Sequence, residues 1–168
     1  FGTPLSGAAI SASRSTVTAT PTTITASTGA SDATVTVTVR DASGLPVSGA
    51  AVTLAASGTG NAITPASATS GAGGTATFSV SATAAGPRTL TATAGGVTIA
   101  QTATITVTPG AASAARSDAT VPNGRQNQIT FFTVQLRDAF HNHLTASGGP
   151  VTATIGGKNS AKPVLVFD

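Results

Sequence analysis

The chain has 168 residues, of which 40% are apolar and only 8% are charged, and its formal net charge is +3. Intrinsic disorder combines low hydrophobicity with high net charge, so this composition argues for a chain that buries a core. The eight Lys and Arg are spread along the sequence, and without a basic cluster we expect no nucleic-acid partner. Cys is absent, which removes disulfides and thiolate metal sites.

Residues 1–9 are expected to be a leader or linker. Phe1 is not a natural start, and no basic region typical of a signal peptide precedes the first pattern. No stretch reaches the roughly 18 consecutive apolar residues that span a bilayer as a helix. We therefore expect an internal piece of a longer, processed protein.

Strict period-two alternation dominates from residue 10 onward. The run at 34–39 places Val on one face and Thr on the other, and the runs at 75–80, 89–93 and 102–107 repeat this pattern. Each run is typical of a strand with one face on a core and one on water. Turn residues separate the runs at intervals of about 8–12 residues, which predicts an all-β, immunoglobulin-like antiparallel β-sandwich of about seven to eight strands over residues 10–108.

The pattern ends at Pro109-Gly110 and then restarts. Arg40-Asp41-Ala42 recurs as Arg137-Asp138-Ala139, and Arg14-Ser15 recurs as Arg116-Ser117. This is a divergent repeat of roughly one hundred residues. Residues 109–168 are expected to form the first three or four strands of a second, incomplete sandwich.

An incomplete sandwich exposes an apolar face and unpaired strand edges. Three explanations remain open at this point. The chain continues, the chain has been shortened, or a partner covers the face or adds a strand.

Four stretches of the first repeat have the order and spacing of a known domain family: TVTVTVRDA at 34–42, LPVSGAAVTL at 45–54, ITPASAT at 63–69 and GTATF at 74–78. On these stretches, residues 10–108 resemble the bacterial immunoglobulin-like domain group 1 (Big-1), the repeat of invasin and intimin. TFFTVQLRDAF at 130–140 resembles the opening of the same group or of a filamin-type repeat. The resemblance implies an exported bacterial spacer, stalk or docking module at the cell surface or in the periplasm, without enzymatic activity.

His141 and His143 are the candidate metal ligands, because side chains at i and i+2 share one face of a strand. Zinc requires three or four ligands, and Asp138 is the nearest carboxylate in sequence. The repeat also places both His in a loop, where the first copy has Gly44-Leu45. We therefore expect no bound metal and no cofactor.

The two Arg-Asp pairs lie where a strand enters a turn. A short Asp side chain accepts a hydrogen bond from the backbone two residues on, which predicts an Asx turn at Asp41 and at Asp138. Calcium would require several closely spaced oxygen ligands, and no two Asp are adjacent.

Catalytic patterns are lacking. No Gly-x-Ser-x-Gly elbow leads from a strand into a helix, and carboxylates do not occur in pairs. The Gly-rich run at 71–74 has no Lys after it and is expected to be a hairpin loop rather than a phosphate loop. We expect neither an enzyme nor a small-molecule substrate.

Four of the six Phe are concentrated toward the end of the chain: Phe131, Phe132, Phe140 and Phe167. Alternation puts Phe131 and Phe132 on opposite faces of a strand, so one fills a core while the other is exposed. These Phe form either a more aromatic core or an apolar surface that binds a protein partner.

Three functions follow from these observations. The first is a non-catalytic extracytoplasmic module that acts as a spacer or adhesion domain and binds other subunits or surface receptors. The second is an accessory subunit that stabilises a larger assembly, including one embedded in a membrane. The third is a carbohydrate-binding module, which the lack of Trp and Tyr disfavours. The exposed Thr and Ser either carry O-linked sugars or solvate the outer faces.

Overall fold

A computed structural model describes residues 9–123, 130–145 and 151–152. The chain divides into two compact units, the first ending at Gly110 and the second beginning at Ala111. Across the described ranges every regular element is a strand, and no helix is long and apolar enough to cross a membrane. The strands are β1 (Thr16–Thr20), β2 (Thr23–Thr25), β3 (Ala33–Thr38), β4 (Ala51–Ala56), β5 (Asn61–Thr64), β6 (Ala68–Thr69), β7 (Thr75–Ala82), β8 (Gly86–Ala94), β9 (Val97–Thr98), β10 (Ala103–Thr108), β11 (Asp118–Thr120) and β12 (Thr133–Gln135).

The first unit consists of two sheets. One has the strand order β1-β3-β7-β5, and the other has the order β2-β10-β8-β4-β6 with β9 paired to β8. The described ladders are antiparallel except that between β2 and β10, which is parallel. The all-β, immunoglobulin-like sandwich predicted from the sequence is confirmed.

Alternation along each strand produces the core. In β3, Ala33, Val35 and Val37 are completely buried, while the Thr between them face outward. Burying one such aliphatic side chain contributes about 1.5–3 kcal/mol. The largest fully buried apolar side chains close the space between the sheets: Phe78, Leu90, Ile99 and Ile105.

The first strand of the sandwich is divided between the two sheets. β1 pairs antiparallel with β3, whereas β2 pairs parallel with β10. Between them lies Pro21, which follows a cis peptide bond and cannot donate a ladder hydrogen bond. The chain therefore changes sheets at Pro21, and it forms one edge of each sheet in turn.

Two sequence expectations for this unit are wrong. The described unit has ten strands rather than seven or eight, because the first strand is split and the short β6 and β9 add two more. The Gly-rich run at 71–74 is not a hairpin loop, since β6 belongs to one sheet and β7 to the other. Gly74 adopts a φ of +75°, and a Cβ there would lie 2.4 Å from the Val39 carbonyl oxygen.

The second unit contains the antiparallel pair β11 and β12 in its described part, with Asp118 opposite Gln135 and Ala119 opposite Val134. Isolated bridges join Ala112 to Asp138 and Arg137 to His143.

Candidate functional site

Each unit carries one turn built around an Arg-Asp pair, which we call the Arg-Asp turn: residues 40–47 in the first unit and 137–144 in the second. In the first, Asp41 Oδ1 accepts hydrogen bonds from the backbone N–H of Ser43 and of Leu45, both at 2.9 Å. Arg40 Nη1 donates to the Gly44 carbonyl at 2.8 Å. The Asx turn predicted at Asp41 is confirmed.

A buried serine fixes this turn to the start of the sandwich. Ser15 Oγ accepts the Arg40 N–H at 3.0 Å and lies 3.3 Å from the Arg40 carbonyl, to which it donates. Ser15 is completely buried, so its hydroxyl satisfies a backbone N–H that water cannot reach. The backbone N–H of Ser11 donates to the same carbonyl at 2.8 Å.

The second unit repeats this arrangement. Ser117 Oγ accepts the Arg137 N–H at 3.0 Å, and Ser113 N–H donates to the Arg137 carbonyl at 2.7 Å. Asp138 Oδ1 accepts the N–H groups of Phe140 and Asn142 at 2.8 and 2.9 Å, which confirms the second Asx turn. Asp138 is only 1% exposed, and its Oδ2 also accepts from Asn142 Nδ2 at 2.7 Å.

The tips of the two turns differ. Gly44 has a φ of 84°, and His141 occupies the same place with a φ of 68°, a conformation that His adopts more readily than most residues. His141 Nε2 lies 2.9 Å from Arg116 Nη1. Because a guanidinium can only donate, Nε2 accepts this hydrogen bond.

This contact bears on the two candidate metal ligands. The Nε2 atom of His141 is occupied by the Arg116 guanidinium. Both His lie in the turn rather than side by side on a strand. The Asp138 carboxylate is occupied by N–H groups of its own turn. Within the described ranges, no group of three or more His, Cys, Asp or Glu is arranged to hold a metal ion.

The aromatic residues occupy different environments. Phe131 and Phe132 precede β12, which begins only at Thr133, so the expectation that both lie in a strand is wrong. Phe131 is 81% exposed, and Phe132 and Phe140 are half-buried. Phe167 lies outside the described residues.

The repeat explains why Phe131 is exposed. Counting back from the two Arg-Asp turns, Phe131 corresponds to Thr34 and Phe132 to Val35. Thr34 lies on the outer face of its sheet, whereas Val35 is completely buried. Phe131 thus corresponds to an outer-face position of the first unit, and Phe132 corresponds to a core position.

Sequence reasoning missed Arg88, which is only 4% exposed. Its guanidinium donates to Asn61 Oδ1 at 2.9 Å and to the backbone carbonyls of Thr59 at 3.2 Å, Ala84 and Pro87. A Cβ on Gly58 would lie 3.0 Å from Arg88 Nη1. Arg88 thus holds two loops together at the end of the sandwich opposite the Arg-Asp turn, and its only sequence signal was a charge at a core-facing position of a strand.

A protein-family model described as invasin, domain 3 matches residues 11–110. Among solved structures, the chain is similar to invasin, a bacterial integrin-binding protein, with 25% identity over 82% of this chain and 29% of that chain and a TM-score of 0.64. It is similar to the Yersinia pseudotuberculosis adhesin InvE, with 28% identity over 77% of this chain and 36% of that chain and a TM-score of 0.57.

The Escherichia coli adhesin FdeC shares the fold, with 24% identity over 82% of this chain and 44% of that chain and a TM-score of 0.61. No curated protein is similar enough in sequence to give a match. The chain spans less than half the length of each of these three structures.

Proposed function

The chain belongs to the invasin domain 3 family through residues 11–110, and from this premise we propose that it is a non-catalytic, extracytoplasmic module of an adhesin-like protein. In this role the first unit is a spacer, and the second contributes a surface that binds another protein. The partners are other protein subunits or surface receptors.

The parallel pairing of β2 with β10 is the observation that carries the spacer role. The strand that opens the sandwich and the strand that closes it run in the same direction. The chain therefore enters this unit at one end and leaves it at the other. A module with this geometry adds its full length to a stalk, because the polypeptide does not double back.

Phe131 supports the protein-binding role. It is 81% exposed, and its counterpart Thr34 lies on the outer face of a sheet that is otherwise covered by hydroxyl side chains. Aromatic side chains, Phe among them, are enriched in protein–protein interfaces relative to the rest of the protein surface. We assign Phe131, together with Phe140 just before the tip of the second Arg-Asp turn, to partner contact, and we assign Phe132 to the core.

The location is tested by adding protease to intact cells that produce the full native protein. We expect cleavage on intact cells for a cell-surface module, or once the outer membrane alone is permeabilised for a periplasmic one, whereas protection until the cytoplasmic membrane is broken contradicts an extracytoplasmic module. Trypsin cleavage is monitored after Arg14, which is exposed on the first unit.

The contact surface is tested with a photo-crosslinking amino acid at position 131 in the native protein. The matched control places the same group at Thr77, which is exposed on the outer face of β7. We expect a crosslinked protein partner from position 131 only. Equal crosslinking from both positions argues against a specific surface, and a stoichiometric complex that survives purification favours the accessory-subunit function instead.

A further inference from the structure

One edge of the sandwich is rich in exposed threonines. The segment 18–25 leaves β1, crosses between the sheets at Pro21 and continues as β2. Every Thr within it is exposed: Thr18, Thr20, Thr22, Thr23 and Thr25.

This segment forms an edge of both sheets. β1 is terminal in one strand order and β2 is terminal in the other. Exposed edges are aggregation sites that proteins usually blunt with Lys and other charges, with Pro or with a covering element. Here Pro21 and the Gln101 side chain, whose Oε1 accepts the Val17 N–H at 3.3 Å, provide part of that protection. No charged residue occurs between Arg14 and Asp32.

We propose that segment 18–25 is an O-glycosylation site, and that its sugars cover the edge that charges do not protect. The acceptor is the Thr Oγ1. Its bond to the anomeric carbon of the sugar forms as the bond from that carbon to a phosphate leaving group breaks. The hydroxyl proton passes to a base of the transferase, and the co-reactant is a sugar activated on a nucleotide or lipid phosphate.

Exposed threonines on the central strands lack this accessibility. Thr34 on β3 and Thr77 on β7 are exposed, but each of these strands is hydrogen-bonded to a neighbour on both sides. An extended acceptor segment enters a binding cleft most readily from a sheet edge, where one side of its backbone is unpaired. The other terminal strands, β5 and β6, each carry a single exposed Thr, Thr64 and Thr69, whereas segment 18–25 carries five. We therefore expect the sugars on segment 18–25 and not on the central strands.

The proposal rests on the proposed extracytoplasmic location, and the native protein tests both. Trypsin cleaves after Arg14, Arg40 and Arg88, so peptide 15–40 contains the edge segment and peptide 41–88 contains Thr75 and Thr77. We expect hexose-sized mass increments on peptide 15–40, localised by fragmentation to residues 18–25, and none on Thr75 or Thr77 of peptide 41–88. The same chain produced in a host without glycosyltransferases is the mass reference.

Two variants sharpen this result. Replacing Thr18, Thr20, Thr22, Thr23 and Thr25 by Val removes the hydroxyls and retains the β-branched shape, and we expect complete loss of the sugar mass. Replacing Thr34, Thr75 and Thr77 by Val is the matched control, which retains the sugar. Localisation in the unaltered protein decides the question even where a variant does not fold.

If added protease cleaves the native chain on intact cells but its peptides carry no sugar, the glycosylation proposal is overturned and the location stands. A modified chain that protease does not reach even after the outer membrane is permeabilised overturns the location alone. Sugar on the central-strand threonines, or sugar retained in the edge variant, overturns the edge assignment.

Discussion

The Arg-Asp turns of the two units have equivalent hydrogen bonds, but the side chains of the strands that lead into them are buried to different extents. Val37 in the first unit is completely buried, whereas its counterpart Val134 is 36% exposed. The turn is the same because the groups that hydrogen-bond in it lie within a few residues of one another or, for Ser15 and Ser117, just before the adjoining strand. Burial differs because it requires a second sheet, which the first unit supplies through β8 and β10 and which the described residues of the second unit do not include.

Aspartate at Val37 and at Val134 tests this difference most strongly. Val37→Asp buries an unpaired charge between the sheets of the first unit, and we expect a loss of at least about 3 kcal/mol in its free energy of unfolding. Val134→Asp meets solvent, and we expect a loss of about 0.5 kcal/mol or less. Hydrogen exchange measured on peptides of each unit separates the two effects. A comparable loss at Val134 means that this face is covered in the working protein.

The two aspartates are not equivalent, and Asp→Asn tests how. In the native protein Asn142 Nδ2 donates to Asp138 Oδ2. In Asp138→Asn the one remaining side-chain oxygen accepts the two turn N–H groups, so the new Nδ2 group replaces Oδ2 and faces the Asn142 Nδ2 donor. We expect a loss of about 2 kcal/mol at this buried site. In Asp41→Asn the amide oxygen can still accept both turn N–H groups, and we expect about 0.5 kcal/mol or less. Urea unfolding monitored by circular dichroism measures both, and similar losses would show that the second carboxylate oxygen matters equally in each turn.

The serines anchor both turns, with unequal solvent access. Ser15→Ala leaves the Arg40 N–H without its buried acceptor, at a cost of about 1–2 kcal/mol. Ser117 is half-buried, so water can replace its hydroxyl, and we expect about 0.5–1 kcal/mol for Ser117→Ala. Exchange rates of the Arg40 and Arg137 amides report directly on each bond. Slow exchange at Arg40 in Ser15→Ala would contradict the assigned role.

The tip residues carry the smallest expected effect. His141→Gly relieves a positive φ but adds freedom to the unfolded chain, so we expect a change below about 0.5 kcal/mol. Gly44→His is expected to cost about 1 kcal/mol, because it places a side chain on a residue with a positive φ. The midpoint temperatures of thermal unfolding of the two variants, His141→Gly and Gly44→His, measure both effects. A large loss in His141→Gly would instead mean that the Arg116 contact stabilises the second turn.

Local sequence determined much of this molecule. The alternation of Val and Thr identified β3, because side chains on a strand alternate between its faces. The recurrence of Arg-Asp identified the second turn, and the Asp41 side chain acts on its own backbone, so its Asx turn required no information from distant residues.

Tertiary structure decided the rest, because the partners are far apart in sequence. The first strand is split between two sheets because β1 pairs with β3 and β2 pairs with β10. Alternation predicts each strand but does not say which strand it pairs with. Arg88 is buried because Asn61 and Thr59, which lie 27 and 29 residues away in sequence, supply acceptors for its guanidinium. His141 meets Arg116 across 25 residues. Phe131 and Phe132 could be assigned to outer and inner faces only once the buried and exposed faces of β3 were known, since alternation gives two faces without saying which of them is covered.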